Sequence, residues 1–148
     1  DPEIIEQALF FFDLIENLDY CSNTIDPSFP EGLDVEIFKF SALEKAWKEA
    51  VLQSEREHVT TFIWKNNHLF KLKNFTYKED LSSWRWTVDN PEDYEFMQEI
   101  FKFFDNNHTV SYKKIISFLK DNMELTKINN SFLRNEGYLQ SIKKEKNE

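Results

Sequence analysis

Gly32 and Gly137 are the only two glycines in this chain of 148 residues. Loops that cradle phosphates in the dinucleotide-binding and P-loop folds need several closely spaced glycines so that backbone N–H groups can reach the ligand. This chain cannot supply one, and both nucleotide folds are excluded. The rest of the composition is globular: 41% of residues are hydrophobic, 16% aromatic with 15 phenylalanines, and 30% charged. Such a chain buries a core rather than staying disordered. Its length sets an expectation of one domain, with roughly 70% of the unfolded surface buried. The lone cysteine, Cys21, can make neither an intrachain disulfide nor a CxxC metal knuckle, which suits a reducing compartment and makes the cytoplasm the expected location. No apolar run approaches the ~20 residues of a membrane span, and the amino terminus lacks the basic start and cleavage site of a secretory signal. No membrane association is expected.

The net charge of −9 is unevenly placed. Residues 1–34 carry nine Asp or Glu and no Lys or Arg, whereas residues 35–148 carry 18 of each sign. A wholly acidic opening segment points to metal binding or to a basic surface nearby, and argues against nucleic acid as a partner. A solvated acidic face fits the same residues.

Asp1-Pro2-Glu3 reads as a helix start, with a capping aspartate, proline at the first helical position and an acid in the first turn, and the helix is expected to reach about Leu18. Its two apolar stripes, Ile4/Ala8/Phe11/Ile15 and Ile5/Leu9/Phe12, predict a helix covered on more than one side. A short strand is expected over 19–24, a proline-rich loop over 26–32, and a second strand over 33–38. In that second strand Leu33, Val35 and Ile37 share one face and Asp34 and Glu36 the other. Ser41 is placed to cap a helix to about Val51, and Ser54 with Glu57 forms a capping-box pattern opening a helix to about Asn66. Strands are expected over 69–75 and, from the alternation of Trp84, Trp86 and Val88 with Arg85 and Thr87, over 83–88. Asp89-Asn90-Pro91-Glu92-Asp93 then stops the strand and starts a helix to about Phe104 by the same cap, proline and acidic first-turn logic, and two more follow, from Ser111 to about Asn122 and from about Asn135 to Lys144. His68 and His108 read as loop residues, and Lys143 to Glu148 as a frayed end. Strands alternating with helices predict an α/β fold.

Three groupings carry candidate chemistry. Asp89 ends a predicted strand at the mouth of a helix, where open α/β sheets bind ligands, and would serve Mg²⁺ as a hard oxygen ligand; a plain cap or turn aspartate has the same local signature. In Glu55-Arg56-Glu57-His58-Val59-Thr60, His58 is a candidate general base or donor to a sugar hydroxyl, while the neighbouring charges also fit a plain capped helix. Asp34 and Glu36, about 6.6 Å apart along one strand face, can hold a metal, a sugar or a backbone amide, or simply face solvent.

The segments Phe29-Pro30-Glu31-Gly32-Leu33-Asp34-Val35-Glu36, Glu55-Arg56-Glu57-His58-Val59-Thr60, Asp80-Leu81-Ser82 and Arg85-Trp86-Thr87-Val88-Asp89-Asn90-Pro91-Glu92-Asp93 occur in one order. So arranged, they resemble the cytidylyltransferase family that includes spore coat polysaccharide biosynthesis proteins and is related to acylneuraminate cytidylyltransferases. The closing Ile128-Asn129-Asn130-Ser131 and Arg134-Asn135-Glu136-Gly137-Tyr138 look like the tail of the spore coat branch. The resemblance spans nearly the whole chain. It implies a three-layer α/β/α, glycosyltransferase-A-like nucleotidyltransferase domain that transfers CMP from CTP to a sugar acid or related sugar with Mg²⁺, for surface polysaccharide or glycan biosynthesis. Residues 1–148 would be its carboxyl-terminal portion, with a helical tail from about residue 107. The family's metal-binding aspartate falls on Asp89, and Glu57, His58, Thr60 and Arg85 would line the sugar and phosphate side. Asp34 and Glu36 would contact the sugar or support a neighbouring loop. The family's triphosphate-gripping Arg, Ser and Lys motif and a second metal-binding aspartate are missing, so the isolated chain is expected to be inactive and to pair as a homodimer or with a missing amino-terminal half. A non-catalytic interaction module or split-enzyme subunit is the alternative. No nucleophilic side chain is expected. The family often has proline at the position of Thr61, a departure that bears on the local turn.

Overall fold

A computed structural model describes residues 1–107 and 109–146. His108, Asn147 and Glu148 lie outside the described residues, and with them the loop expectation for His108 and the end of the expected frayed tail. Helix α1 spans Pro2–Leu14, and the Asp1 side chain accepts from the Glu3 N–H at 2.9 Å as the local sequence predicts. The helix stops before Leu18 because Ile15 is extended and Asn17 takes a left-handed φ of 58°. The second Asp1 oxygen accepts from the Tyr112 N–H at 2.9 Å, which ties the start of α1 to the start of a later helix.

Strand β1, Tyr20–Ser22, is the centre of a three-stranded sheet. It pairs antiparallel with β2, Glu36–Phe38, and parallel with β3, Leu72–Asn74. Between β1 and β2, Asn23 substitutes for a backbone unit: its Oδ1 accepts from Val35 N–H and its Nδ2 donates to Leu33 O, both at 2.9 Å. The strand is shorter than the expected 33–38, because Leu33 and Val35 are bonded by the Asn23 side chain instead of a neighbouring backbone, but the expected alternation holds over the whole run. Leu33, Val35 and Ile37 pack on the larger core, leaving Asp34 and Glu36 on the opposite face.

That larger core joins Ile4 and Ala8 of α1, Cys21, Phe29, Phe75 and Trp84 with two further helices, α5 (Pro91–Phe103) and α6 (Tyr112–Asp121), through Phe96, Ile100, Ile116 and Leu119. The other sheet face carries a smaller core of Tyr20, Phe70, Ala42 and Ala46 from α2 (Phe40–Glu49) and Ile63 from α4 (Thr61–Lys65). Each fully buried side chain of Phe or Ile size contributes roughly 1.5–3 kcal/mol, so both faces of the small sheet are held by helices. A short helix α3 (Gln53–Glu57) and the last helix, α7 (Glu136–Glu145), complete this mixed α/β fold. Cys21 is buried and free, and among the described residues no helix is long and apolar enough to cross a membrane.

Four expectations change. Residues 83–88 do not form a strand: Glu31 N–H donates to Trp84 O and Trp86 N–H to Glu31 O, at 2.8 and 2.7 Å, and the pairing ends at that single bridge. The partner segment cannot continue it, because Pro30 has no N–H and Gly32 turns away at φ +100°. The helix expected over 54–66 is two helices, since the backbone of His58 leaves helical geometry and Thr61 N–H closes a turn on His58 O at 2.8 Å. Ser54 lies inside α3 and not at its cap, the capping carboxylate being Glu55 on Leu52 N–H, and α2 starts at Phe40, ahead of Ser41. Finally, α1 is covered on one side only: Ile5, Leu9, Phe10 and Leu14 are exposed. Thr61 occupies the first position of α4, where proline is well suited, so the departure noted there leaves the turn intact.

Candidate functional site

Two strand residues, a turn and the last helix enclose a cleft of about 660 Å³ whose lining includes Asp34, Glu36, His58, Thr60, Trp64 and Tyr138. Glu36 of β2 and Asp34 in the run just before it reach this face together because alternate side chains of an extended backbone point the same way. Glu36 accepts from the Tyr20 hydroxyl and, at 2.8 Å, from Thr60 Oγ1. Burial, with the Glu36 charge behind it, pushes the Tyr20 phenol well above its ordinary range. Asp34 forms an ion pair with Arg134, which also donates to Phe29 O at 3.1 Å. Burial nonetheless raises the Asp34 carboxyl above its usual value, outweighing the pull of Arg134.

His58 and Thr60 enter through the break between α3 and α4. The Nε2 atom of His58 lies 3.1 Å from Ser141 Oγ, which donates to Glu57 Oε2 at 2.9 Å. Tyr138 stands edge-on to both His58 and Trp64, with ring centroids 5.3 and 5.6 Å apart. Helix α7 is fastened to α3 by Glu145, which accepts from both the N–H and the hydroxyl of Ser54; the Ser54 N–H in particular holds the Glu145 carboxyl below its ordinary range.

Arg85 and Asp89 belong to a different cluster. The Arg85 side chain is only 8% exposed and pairs with three carboxylates: Nη1 with Glu31 at 2.9 Å, Nη2 with Asp89 at 2.8 Å, and Nε with Asp93 at 2.9 Å. Asp93, fully buried at the start of α5, accepts further from the Asp89 and Asn90 N–H groups at 3.1 and 3.0 Å and from Asn129 Nδ2 at 2.9 Å. Burial alone would raise its carboxyl, but Arg85 and these donors hold it far below the usual carboxylate range. Glu31 connects the cluster to the cleft wall, accepting from Asn135 N–H at 3.0 Å just before α7.

Of the residues singled out in the sequence, Asp34, Glu36, His58 and Thr60 therefore share one cleft. Glu57 stands behind it through Ser141, while Arg85 and Asp89 lie in the ion-pair cluster. Trp64 and Ser141 carry no local signal, and Arg134 and Tyr138 occur only in the closing run of the resemblance with no role attached; all four reach the site through the packing of α4, α7 and the turn before α7.

The Asp89 carboxylate is the candidate magnesium ligand. Its side chain is 67% exposed and only Oδ2 meets Arg85. No group of three or more His, Cys, Asp or Glu among the described residues is arranged to hold a metal. Mg²⁺ binds through one or two carboxylates and completes its octahedron with water and phosphate oxygens, so Asp89 fits one position of such a shell and no more.

No protein-family model matches the chain. It is 37% identical over 131 residues to an uncharacterized protein of Methanocaldococcus jannaschii, covering 87% of this chain and 52% of that protein. Its structure is similar to that of a cytidylyltransferase from Leptospira borgpetersenii serovar Hardjo-bovis, with a TM-score of 0.79, 28% identity, and coverage of 92% of this chain and 54% of that one. The chain thus spans about half the length of each protein it matches, and over nearly all of its own length it shares the fold of a cytidylyltransferase.

Proposed function

We propose that this chain is the sugar-binding and metal-completing portion of a cytidylyltransferase that joins CMP from CTP to a sugar acid or related sugar and releases pyrophosphate, for surface polysaccharide or glycan biosynthesis. The observation that carries the reading is the cleft, which gathers Asp34, Glu36, His58 and Thr60 from two separate segments in a chain with a cytidylyltransferase neighbour. Carboxylates accept hydroxyl protons, and the Trp64 and Tyr138 rings offer flat apolar faces to the C–H side of a sugar ring. Asp34 and Glu36 would orient the sugar, and Thr60, by donating to Glu36, fixes that carboxylate in place.

Asp89 would supply one carboxylate to Mg²⁺, and the ion would offset the charge of the phosphates. Arg85 holds Asp89 from behind and, through Glu31, sets the start of α7, so its buried guanidinium acts on the phosphate side by positioning. Phosphoryl-type transfer depends on positioning and charge neutralisation, and those are the roles these residues would play.

The test is pyrophosphate release from CTP with Mg²⁺ and a panel of sugar acids and neutral sugars. It is run with the pure chain and again with the amino-terminal half of the Methanocaldococcus relative added. Release that needs the added half supports the reading. Release by the chain alone refutes the split between halves, and no release with any sugar in either arm refutes the transferase.

The exposed apolar residues of α1, Ile5, Leu9, Phe10 and Leu14, together with the coverage of only half of each relative, favour a second reading: a non-catalytic interaction module or split-enzyme subunit that works only when another polypeptide covers this helix. Binding of the added half without turnover would support it.

A further inference from the structure

We propose that His58 is the proton acceptor for the sugar hydroxyl that attacks the nucleotide, and that Ser141 and Glu57 are positioning residues that hold it in the required tautomer. This rests on the transfer reaction proposed above. The inference follows from counting protons. Ser141 Oγ has one hydrogen to give and lies 2.9 Å from Glu57 Oε2 and 3.2 Å from Gly137 O, both of which only accept. Its third neighbour, His58 Nε2 at 3.1 Å, must then donate to the serine oxygen. A neutral imidazole that carries its proton on Nε2 keeps a lone pair on Nδ1.

No hydrogen bond among the described residues occupies Nδ1, and His58 lines the cleft beside Thr60 and Glu36. The ring is held edge-on against Tyr138, and the serine that receives its proton is itself buried on α7. Charged groups on the elements packed against it are Asp34 and Glu36, which share its cleft, Glu57 and Arg56 on α3 and Lys144 on α7, which line a second pocket with Ser141, Glu145 on α7, which is bonded to Ser54, and Lys65 on α4 with its Nζ 5.2 Å from the Tyr138 ring centroid.

In the step, the hydroxyl O–H bond breaks and its proton passes to Nδ1. The freed oxygen bonds to the α-phosphorus, and the bond from that phosphorus to the bridging oxygen breaks, so pyrophosphate leaves with the electron pair. The imidazolium then returns its proton to solvent.

The experiment has two arms. Long-range ¹H–¹⁵N spectra of the full protein should show the His58 proton on Nε2, and Ser141→Ala should turn this into a mixture of tautomers. In the full protein, His58→Gln keeps an amide donor for Ser141 but loses the Nδ1 lone pair. Its kcat should fall at least about a hundredfold, the scale of losing general-base catalysis, with KM for the sugar within about threefold and melting unchanged. Ser141→Ala should lower kcat by about tenfold and move the acid limb of the kcat/KM profile, which a packing role would leave in place. A His58→Gln enzyme within threefold of wild-type kcat, a defect confined to KM, or an Nδ1–H tautomer in the wild type overturns the proposal while leaving the transferase reading standing. A wild-type protein with no turnover on any sugar overturns both.

Discussion

Replacing Arg85 by methionine keeps the apolar stem and removes the charge that three carboxylates share. Four hydrogen bonds disappear: two to Asp93 at 2.9 and 3.1 Å, one to Glu31 at 2.9 Å and one to Asp89 at 2.8 Å. The losses are unequal. Asp89 is largely exposed, and its pair is worth at most about 1 kcal/mol. Asp93 keeps the Asp89 and Asn90 N–H groups and Asn129 Nδ2. Glu31 is left buried with only the Asn135 N–H. Breaking a buried pair while leaving its partner charged costs about 3–5 kcal/mol, which for a chain of this size lowers Tm by roughly 6–20 °C. Adding Glu31→Gln removes the orphaned charge and should recover more than about 1 kcal/mol. The pH dependence has a definite sign. Because Asp93 sits far below the usual carboxylate range, the unfolded chain binds more protons here than the folded one. The stabilisation is therefore complete above the unfolded value of about 3.9 and is lost as pH falls below it toward the folded value. Urea titrations of the wild type and Arg85→Met at pH 7 and at pH 2–3 should show the gap between them shrinking in acid. A loss below about 1 kcal/mol at pH 7, or a gap that does not depend on pH, would refute the view that this arginine holds the cluster together.

Asp89→Asn in the full protein should cut turnover by at least about a hundredfold, the scale of one preorganised charge contact, with under about 1 kcal/mol of stability lost, because the cap of α5 is Asn90 with Asp93 and does not include Asp89; near-normal turnover would remove it from the metal site. Gly32→Ala should destabilise by about 1–3 kcal/mol in thermal melts, since φ is +100° and a Cβ there would lie 2.8 Å from the Trp86 carbonyl carbon and oxygen; a neutral effect would mean the 26–32 loop relaxes freely. The pure chain should dimerise or aggregate at micromolar concentration through the open face of α1, where Phe10 is 60% exposed; a sharp monomer boundary in sedimentation with cooperative melting would contradict this.

Short-range stereochemistry settles the parts of this protein that the sequence alone determines. Asp1 before Pro2 and Asn90 before Pro91 start helices because caps and a proline-fixed φ act within one turn. The two-residue period of the run leading into β2 puts Asp34 and Glu36 on one face, since side-chain direction in an extended segment depends only on the backbone that carries it. The same reasoning fails over 83–88, where the alternating pattern is present but its partner is a proline-rich loop that supports a single bridge; a strand needs a second chain segment with free N–H groups. It fails again at 58–60, where α3 gives way to a turn and Ser54 is taken by Glu145 from the far end of the chain. The cleft itself is a tertiary product. Tyr138, Ser141 and Arg134 meet His58 and Asp34 only once α7 has been fastened by Glu145 and by Glu31, contacts about a hundred residues apart in sequence that no local propensity encodes. Arg85 likewise has the local look of a ligand-binding residue on a strand, and folding closes three carboxylates around it because a buried guanidinium must find charge partners.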